Sequence, residues 1–272
     1  MKRAPQVVTY TSTTQDFVKS ADQNHHLPAG YRYYHGHGLA QRCFYHIIYF
    51  LAYLICCLYG YLWLGIRIKG KRQMKRTLRK LHAKSSFIYG NHTLPGGDIA
   101  LSVLMNYPHH ISAVVALGNI GIPVIGPMLH QLDFLAVPHT LEERKNFKIA
   151  MTHLVEDGTT FMIYPEAHVW PWYTKIRDFS STSMRYPVRF KTPSFVATTT
   201  FHRRRFAWLN PRPAITVYID GPFYPDNLEA SEQEQKESLH AQIIATLRKR
   251  AELSDYQYVI YQEQTDAQHA DK

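Results

Sequence analysis

Between Cys43 and Ile66 the chain runs for 24 residues without an Asp, Glu, Lys or Arg. Coiled as a helix, that stretch reaches roughly 36 Å, against a bilayer hydrocarbon core of roughly 30 Å, so its length permits a membrane span. Eight of the 24 residues are aromatic. Tyr45, Tyr49 and Tyr53 recur at the i, i+4 spacing of one helix face, which suits the headgroup level, where a phenol keeps its hydroxyl wet. The pattern predicts an in-plane or re-entrant helix pair, broken near Gly60, rather than a simple span.

Residues 67–84 ("RIKGKRQMKRTLRKLHAK") follow with nine Lys or Arg, and no acidic residue occurs between Asp22 and Asp98. Beside an uncharged run, such a cluster attracts anionic lipid and keeps the next domain on the cytoplasmic side. Alone it would read as a solvated basic helix face. The chain as a whole carries a net charge of +10, which favours partners that bear phosphate. All three cysteines, Cys43, Cys56 and Cys57, lie in the apolar run. They offer neither a disulfide framework nor zinc-ligand spacing, and this favours a reducing, intracellular location. Residues 1–42 read as a polar lead-in without the apolar core of a signal peptide.

Residues 85–272 read as one α/β domain, a mainly parallel sheet covered by helices, with 43–84 as the membrane-associated helical segment before it. Strands are expected at Ser86–Tyr89, Ile111–Leu117, Phe134–Val137, Thr160–Tyr164, Phe195–Phe201 and Ala214–Asp220. A helix opens on the capping box Thr140/Glu143, buries Phe147, Ala150, Met151 and Leu154, and stops at Gly158. A second starts at the capping box Ser231/Glu234 and runs to about Leu253.

Two strand ends carry reactive side chains, where an α/β sheet collects its site residues. The stretch "GNHTLPGGD" places His92 where a strand stops and Asp98 where a helix begins. Asp98 can turn back across Gly96-Gly97 to hold one imidazole nitrogen and leave the other basic. Read alone, Asp98 is also a good helix N-cap and His92 a turn residue. The stretch "FMIYPEAHVWPWYTKIRDF" ends another strand at Glu166, with His168, Lys175 and Arg177 close behind among aromatic residues. That mixture fits a pocket for an apolar chain and a phosphate, or equally a surface loop with interfacial tryptophans.

Taken together, "NHTLPGGD" and, about seventy residues later, "IYPEAH" resemble the 1-acylglycerol-3-phosphate acyltransferase family. That family's first motif is Asn-His, four residues, Asp, and its later motif is Phe-Pro-Glu-Gly-Thr-Arg; the likeness covers about residues 45–222. The resemblance implies His92 as base and Asp98 as its partner, with Asn91 and Glu166 in the acceptor site. It also implies a lysophospholipid acceptor, an acyl-CoA or acyl carrier protein donor, no other cofactor, and a place at the cell membrane. Gly121–Pro127 is similar to the stretch before the family's phosphate-binding arginine, and Pro193 to the proline opening its last motif. Here five residues, not four, separate His92 from Asp98, so the loop must bulge. Ala167, His168 and Val169 replace Gly-Thr-Arg, and no arginine follows "DFLAV". Lys175 and Arg177, with His168 or Arg144, are then the expected phosphate ligands.

No Gly-x-Ser-x-Gly elbow is present, which argues for direct displacement over an acyl-enzyme. The pairs His25-His26 and His109-His110 lack metal-ligand spacing, so no metal is expected. Another lysolipid or glycerol 3-phosphate stays open as acceptor. So does a membrane-bound protein binding anionic lipid or RNA through residues 67–84 and "FHRRRF" at 201–206. The chain lacks an RNA-binding signature, so nucleic acid is not expected as a partner.

Overall fold

A computed structural model describes residues 5–18, 26–27, 31, 33, 39–121, 126, 129–130, 132–204, 208, 210, 212–213 and 214–264. The expectations for His25, for most of Gly121–Pro127 and for the end of "FHRRRF" therefore lie outside the described residues.

The strands are β1 Gln6–Tyr10, β2 Ile66–Lys69, β3 Ser86–Gly90, β4 Ile111–Val115, β5 Leu135–Ala136, β6 Thr160–Ile163, β7 Ser194–His202, β8 Ala214–Phe223 and β9 Val259–Glu263. The helices are α1 Leu39–Cys57, α2 Lys71–Lys80, α3 Gly97–Asn106, α4 Leu117–Ile120, α5 Leu141–Glu156, α6 Arg185–Phe190 and α7 Glu232–Ala251. Seven strands form one sheet in the order β2-β8-β7-β3-β6-β4-β5. Every neighbouring pair is parallel except β7–β8. The fold is α/β, with a mainly parallel sheet under helices.

The central strand β3 is buried at all five positions, as expected of a parallel strand covered on both faces. Its side chains alternate between two cores. Ile88 joins Leu94, Leu101, Met162 and Phe195 under α1 and α3. Phe87 and Tyr89 join Phe147, Met151, Leu154, Leu239 and Ile243 under α5 and α7. Both capping boxes form, at Thr140/Glu143 and Ser231/Glu234.

Two expectations about the apolar run are corrected. Near Gly60 the helix does not break; it widens into a π-helical section, Leu58–Leu64, and ends at Gly65 in the left-handed region (φ 67°). Gly60 is needed for close packing, because a Cβ there would come within 2.5 Å of Leu104 Cδ1 on α3. The tyrosine face does not look outward either. Tyr45 and Tyr49 are buried; Tyr45 packs tilted against His110 at 4.5 Å between ring centres and Tyr49 stacks on it at 4.7 Å, and Tyr53 stacks on Tyr107 at 3.7 Å. The face left open is aliphatic and aromatic, with Phe44, Ile47, Phe50, Leu51, Leu54, Ile55, Leu58, Leu62 and Trp63 exposed. Among the described residues, Cys43–Leu64 is the one helix long and apolar enough to cross a membrane.

Ile66–Lys69, inside the stretch read as membrane-associated, is a strand of the main sheet paired with β8. The chain thus enters the sheet directly from the apolar helix. β1 and β9, which no periodicity marked, form a separate two-stranded parallel sheet.

Candidate active site

β3, β6 and β7 run parallel side by side, so their carboxyl ends meet at one edge of the sheet, where ligands gather in open α/β folds. The five residues between His92 and Asp98 close into a tight turn. Leu94 C=O accepts the N–H groups of Gly97 (2.9 Å) and Asp98 (3.1 Å). Gly96 takes up the extra residue in the left-handed region at φ 67°, where only glycine sits without penalty. Gly97 is packed so closely that a Cβ would lie 2.9 Å from Leu94 Cβ.

This turn brings His92 and Asp98 together. His92 Nδ1 donates to Asp98 Oδ2 at 2.6 Å, and the same oxygen accepts Leu94 N–H at 3.1 Å. The carboxylate is nearly inaccessible, whereas the imidazole retains 21% of its side-chain exposure. Burial pushes the Asp98 carboxyl above its usual range, and the hydrogen bond from His92 pulls against that shift. With Nδ1 facing a carboxylate, Nε2 is the nitrogen left to accept a proton, and it has no hydrogen-bond partner among the described residues.

The His92 backbone is held from both sides by the loop after β6. Its N–H donates to Glu166 Oε2 (3.3 Å), and its C=O accepts Trp170 N–H (3.0 Å). Thr93 C=O accepts Trp172 N–H (2.9 Å). Tyr164, the residue after β6, lies flat on the imidazole at 4.5 Å between ring centres. Its hydroxyl donates to Asp98 C=O at 2.9 Å. Sequence reasoning missed Tyr164, although a tyrosine closing a strand immediately before Pro165-Glu166 was the available signal.

Three residues expected in a substrate site have other duties. Asn91 is buried; its side chain donates to Thr199 C=O (3.1 Å) and accepts Thr199 N–H (2.8 Å), tying the end of β3 to β7. Glu166 is buried beneath His92 and also accepts Arg177 N–H at 3.0 Å. Arg177, expected as a phosphate ligand, is buried too. Its guanidinium pairs with Glu166 at 3.1 Å, donates to Thr13 C=O at 3.1 Å and to His168 C=O, and lies over the Trp170 ring. A bidentate anion ligand needs free donors facing solvent, and these are turned inward. Burial raises the Glu166 carboxyl, and the Arg177 charge opposes that rise.

The remaining basic candidates are spread out. Lys175 is exposed, with no ion pair among the described residues. His168 is half-buried, 3.8 Å from the Asp16 carboxylate. Arg144 is exposed in the first turn of α5, after an edge strand three positions from β3, roughly 14 Å away across the sheet. Among the described residues no group of three or more His, Cys, Asp or Glu is arranged to hold a metal ion.

The end of β1 and the segment that follows it also brace the site. Trp170 Nε1 donates to Gln15 C=O at 2.9 Å, and Tyr10 and Phe17 pack on the Trp170 ring at 4.7 and 5.3 Å. The N-terminal strap, Trp170, Arg177, Glu166 and His92 therefore form one continuous set of contacts.

No protein-family model matches the sequence, and no curated protein matches it by sequence. Its fold is similar to that of the 1-acyl-sn-glycerophosphate (LPA) acyltransferase PlsC from Thermotoga maritima. The superposition has a TM-score of 0.50 at 16% identity and covers 78% of this chain and 81% of that one.

Proposed function

We propose that this chain is a membrane-bound acyltransferase that moves a fatty acyl group from a thioester, acyl-CoA or acyl carrier protein, to the free hydroxyl of 1-acylglycerol 3-phosphate, giving phosphatidic acid. The observation that carries the reading is the 2.6 Å contact between His92 Nδ1 and Asp98, made at the carboxyl edge of the sheet with Nε2 unpartnered among the described residues. The fold shared with a lysophosphatidate acyltransferase supports the same reading.

In this mechanism Nε2 takes the proton of the acceptor hydroxyl as its oxygen attacks the thioester carbonyl. Asp98 keeps the proton on Nδ1 and stabilises the imidazolium that forms. Collapse of the tetrahedral intermediate breaks the carbon–sulfur bond, and Nε2 returns the proton to the departing thiolate. The products are an ester and a free thiol, and no acyl-enzyme forms. Such a base contributes about 10² to 10⁴-fold. Glu166 and Tyr164 act as positioning residues, holding the His92 backbone and ring. Lys175, His168 and Arg144 are the basic groups left for the acceptor phosphate.

The open face of α1 supports membrane binding. Because the other face packs along α3, the helix lies against the domain, with lipid on one side only, in the manner of an in-plane anchor. The basic flank favours the cytoplasmic side of the cell membrane for the catalytic domain.

The test uses membranes containing the full chain, or its His92→Ala or Asp98→Asn variant, supplied with labelled acyl donor and lysophosphatidate. Each substitution is expected to lower product formation by at least roughly 10²-fold. Undiminished transfer by His92→Ala removes the mechanism.

A further inference from the structure

At the opposite end of the sheet from His92, a cleft of about 640 Å³ opens among α2, the end of α3 and the starts of β3, β4 and β6. Its lining includes Lys75, Arg79, His82, Lys84 and His109, with Asp157 as the acidic member. We propose that this cleft is a second, non-catalytic site that holds the phosphate of an anionic phospholipid at the membrane surface.

Three observations support it. The cations are not neutralised from within: no ion pair joins Lys75, Arg79 or Lys84 to a carboxylate among the described residues. Lys75 donates to Tyr107 C=O at 2.5 Å, a single bond for a group with three donors. Burial, with Lys71 and Arg79 nearby, lowers the Lys75 ammonium to about 8. An incoming anion relieves that repulsion, and its phosphate oxygens accept charge-assisted hydrogen bonds from the lysines and Arg79.

The second observation is position. β3 is five residues long, so the cleft lies at least roughly 17 Å from the His92 end. Ligand bound there cannot touch the reacting atoms. The third is its neighbour. Tyr107, whose carbonyl binds Lys75, stacks on Tyr53 of α1, and His109 C=O accepts the Tyr49 hydroxyl at 3.1 Å. Phe50, on the exposed face of α1, also meets the Tyr107 ring at 6.5 Å between ring centres, so the charged cleft and that apolar face are adjacent, the arrangement that takes a headgroup and its acyl chains together. That adjacency selects a lipid phosphate over a free one. The proposal rests on the membrane placement of α1 given above, and not on acyl transfer.

The test is cosedimentation of the full chain with vesicles of phosphatidylcholine alone, or with one fifth phosphatidate, at constant ionic strength. Binding to neutral vesicles reads the placement of α1; the ratio of anionic to neutral affinity reads the cleft. Arg79→Gln/Lys84→Gln is expected to lower that ratio at least about 10-fold. Arg72→Gln/Arg76→Gln removes the same charge from exposed positions of α2 outside the cleft and is expected to change it less than about 3-fold. Equal losses in the two pairs, or none in either, overturn the site. Inorganic phosphate that binds through Arg79 and Lys84, while the wild-type ratio stays near one, overturns the lipid as its ligand.

Discussion

Replacing Arg177 by Met tests whether this arginine is a ligand for substrate or a buried partner of the site loop. The Arg177 and Glu166 side chains retain only 3% and 1% of their exposure. Truncating one partner leaves the Glu166 carboxylate buried, with two backbone N–H groups as its remaining donors. Breaking a buried pair in this way costs about 3–5 kcal/mol. Glu166 can escape by taking up a proton, which burial already favours; that holds the loss toward the lower end. Loss of the bonds to Thr13 and His168 and of the Trp170 contact adds about 1 kcal/mol. At about 2–4 °C per kcal/mol for a domain of this size, Arg177→Met should lower Tm by roughly 10 °C in detergent. Because Glu166 holds the His92 N–H, kcat should fall as well. The double variant Glu166→Gln/Arg177→Met removes the stranded charge and should be more stable than Arg177→Met alone by about 1–2 kcal/mol. A Tm within about 3 °C of wild type together with a raised acceptor KM would return Arg177 to the substrate site and refute this reasoning.

Two further outcomes are expected. Tyr164→Phe keeps the ring on His92 but loses the bond to Asp98 C=O, so unfolding should become easier by about 1 kcal/mol with activity within roughly tenfold of wild type; Tyr164→Ala should lose far more activity, and equal activity of the two would show that stacking is irrelevant. The Glu143 carboxyl is held below its usual range mainly by the hydrogen bond from His139 N–H, with a second from Thr140 N–H. A depressed acid stabilises the fold above its unfolded value, about 4.3, and loses that effect as pH falls through the folded one. Melting curves of wild type and Glu143→Gln should therefore differ at pH 7 and converge in acid; a gap that persists at pH 2 contradicts the assignment.

The parts of this protein that a local rule specifies were legible in its sequence. His92 and Asp98 are six residues apart, so one turn with Gly96 in the left-handed region suffices to join them. Each capping box closes over three residues, and the alternation of Phe87, Ile88 and Tyr89 between two cores follows from the two-residue period of a strand. Tertiary structure decided what long-range neighbours do to a side chain. Arg177 has the same charge whether it faces a phosphate or a buried carboxylate; the strap residue Thr13, 164 positions away, helps turn it inward. Asn91 meets Thr199 across 108 residues, and Tyr49 meets the His109 carbonyl across 60. Nothing in a helical repeat says which face will pack on the domain and which will be left open. The sequence by itself determined the chemistry that was present and its local geometry; the packed fold alone determined which charges remain free to use it, because burial is a property of the assembled neighbours and not of the residue.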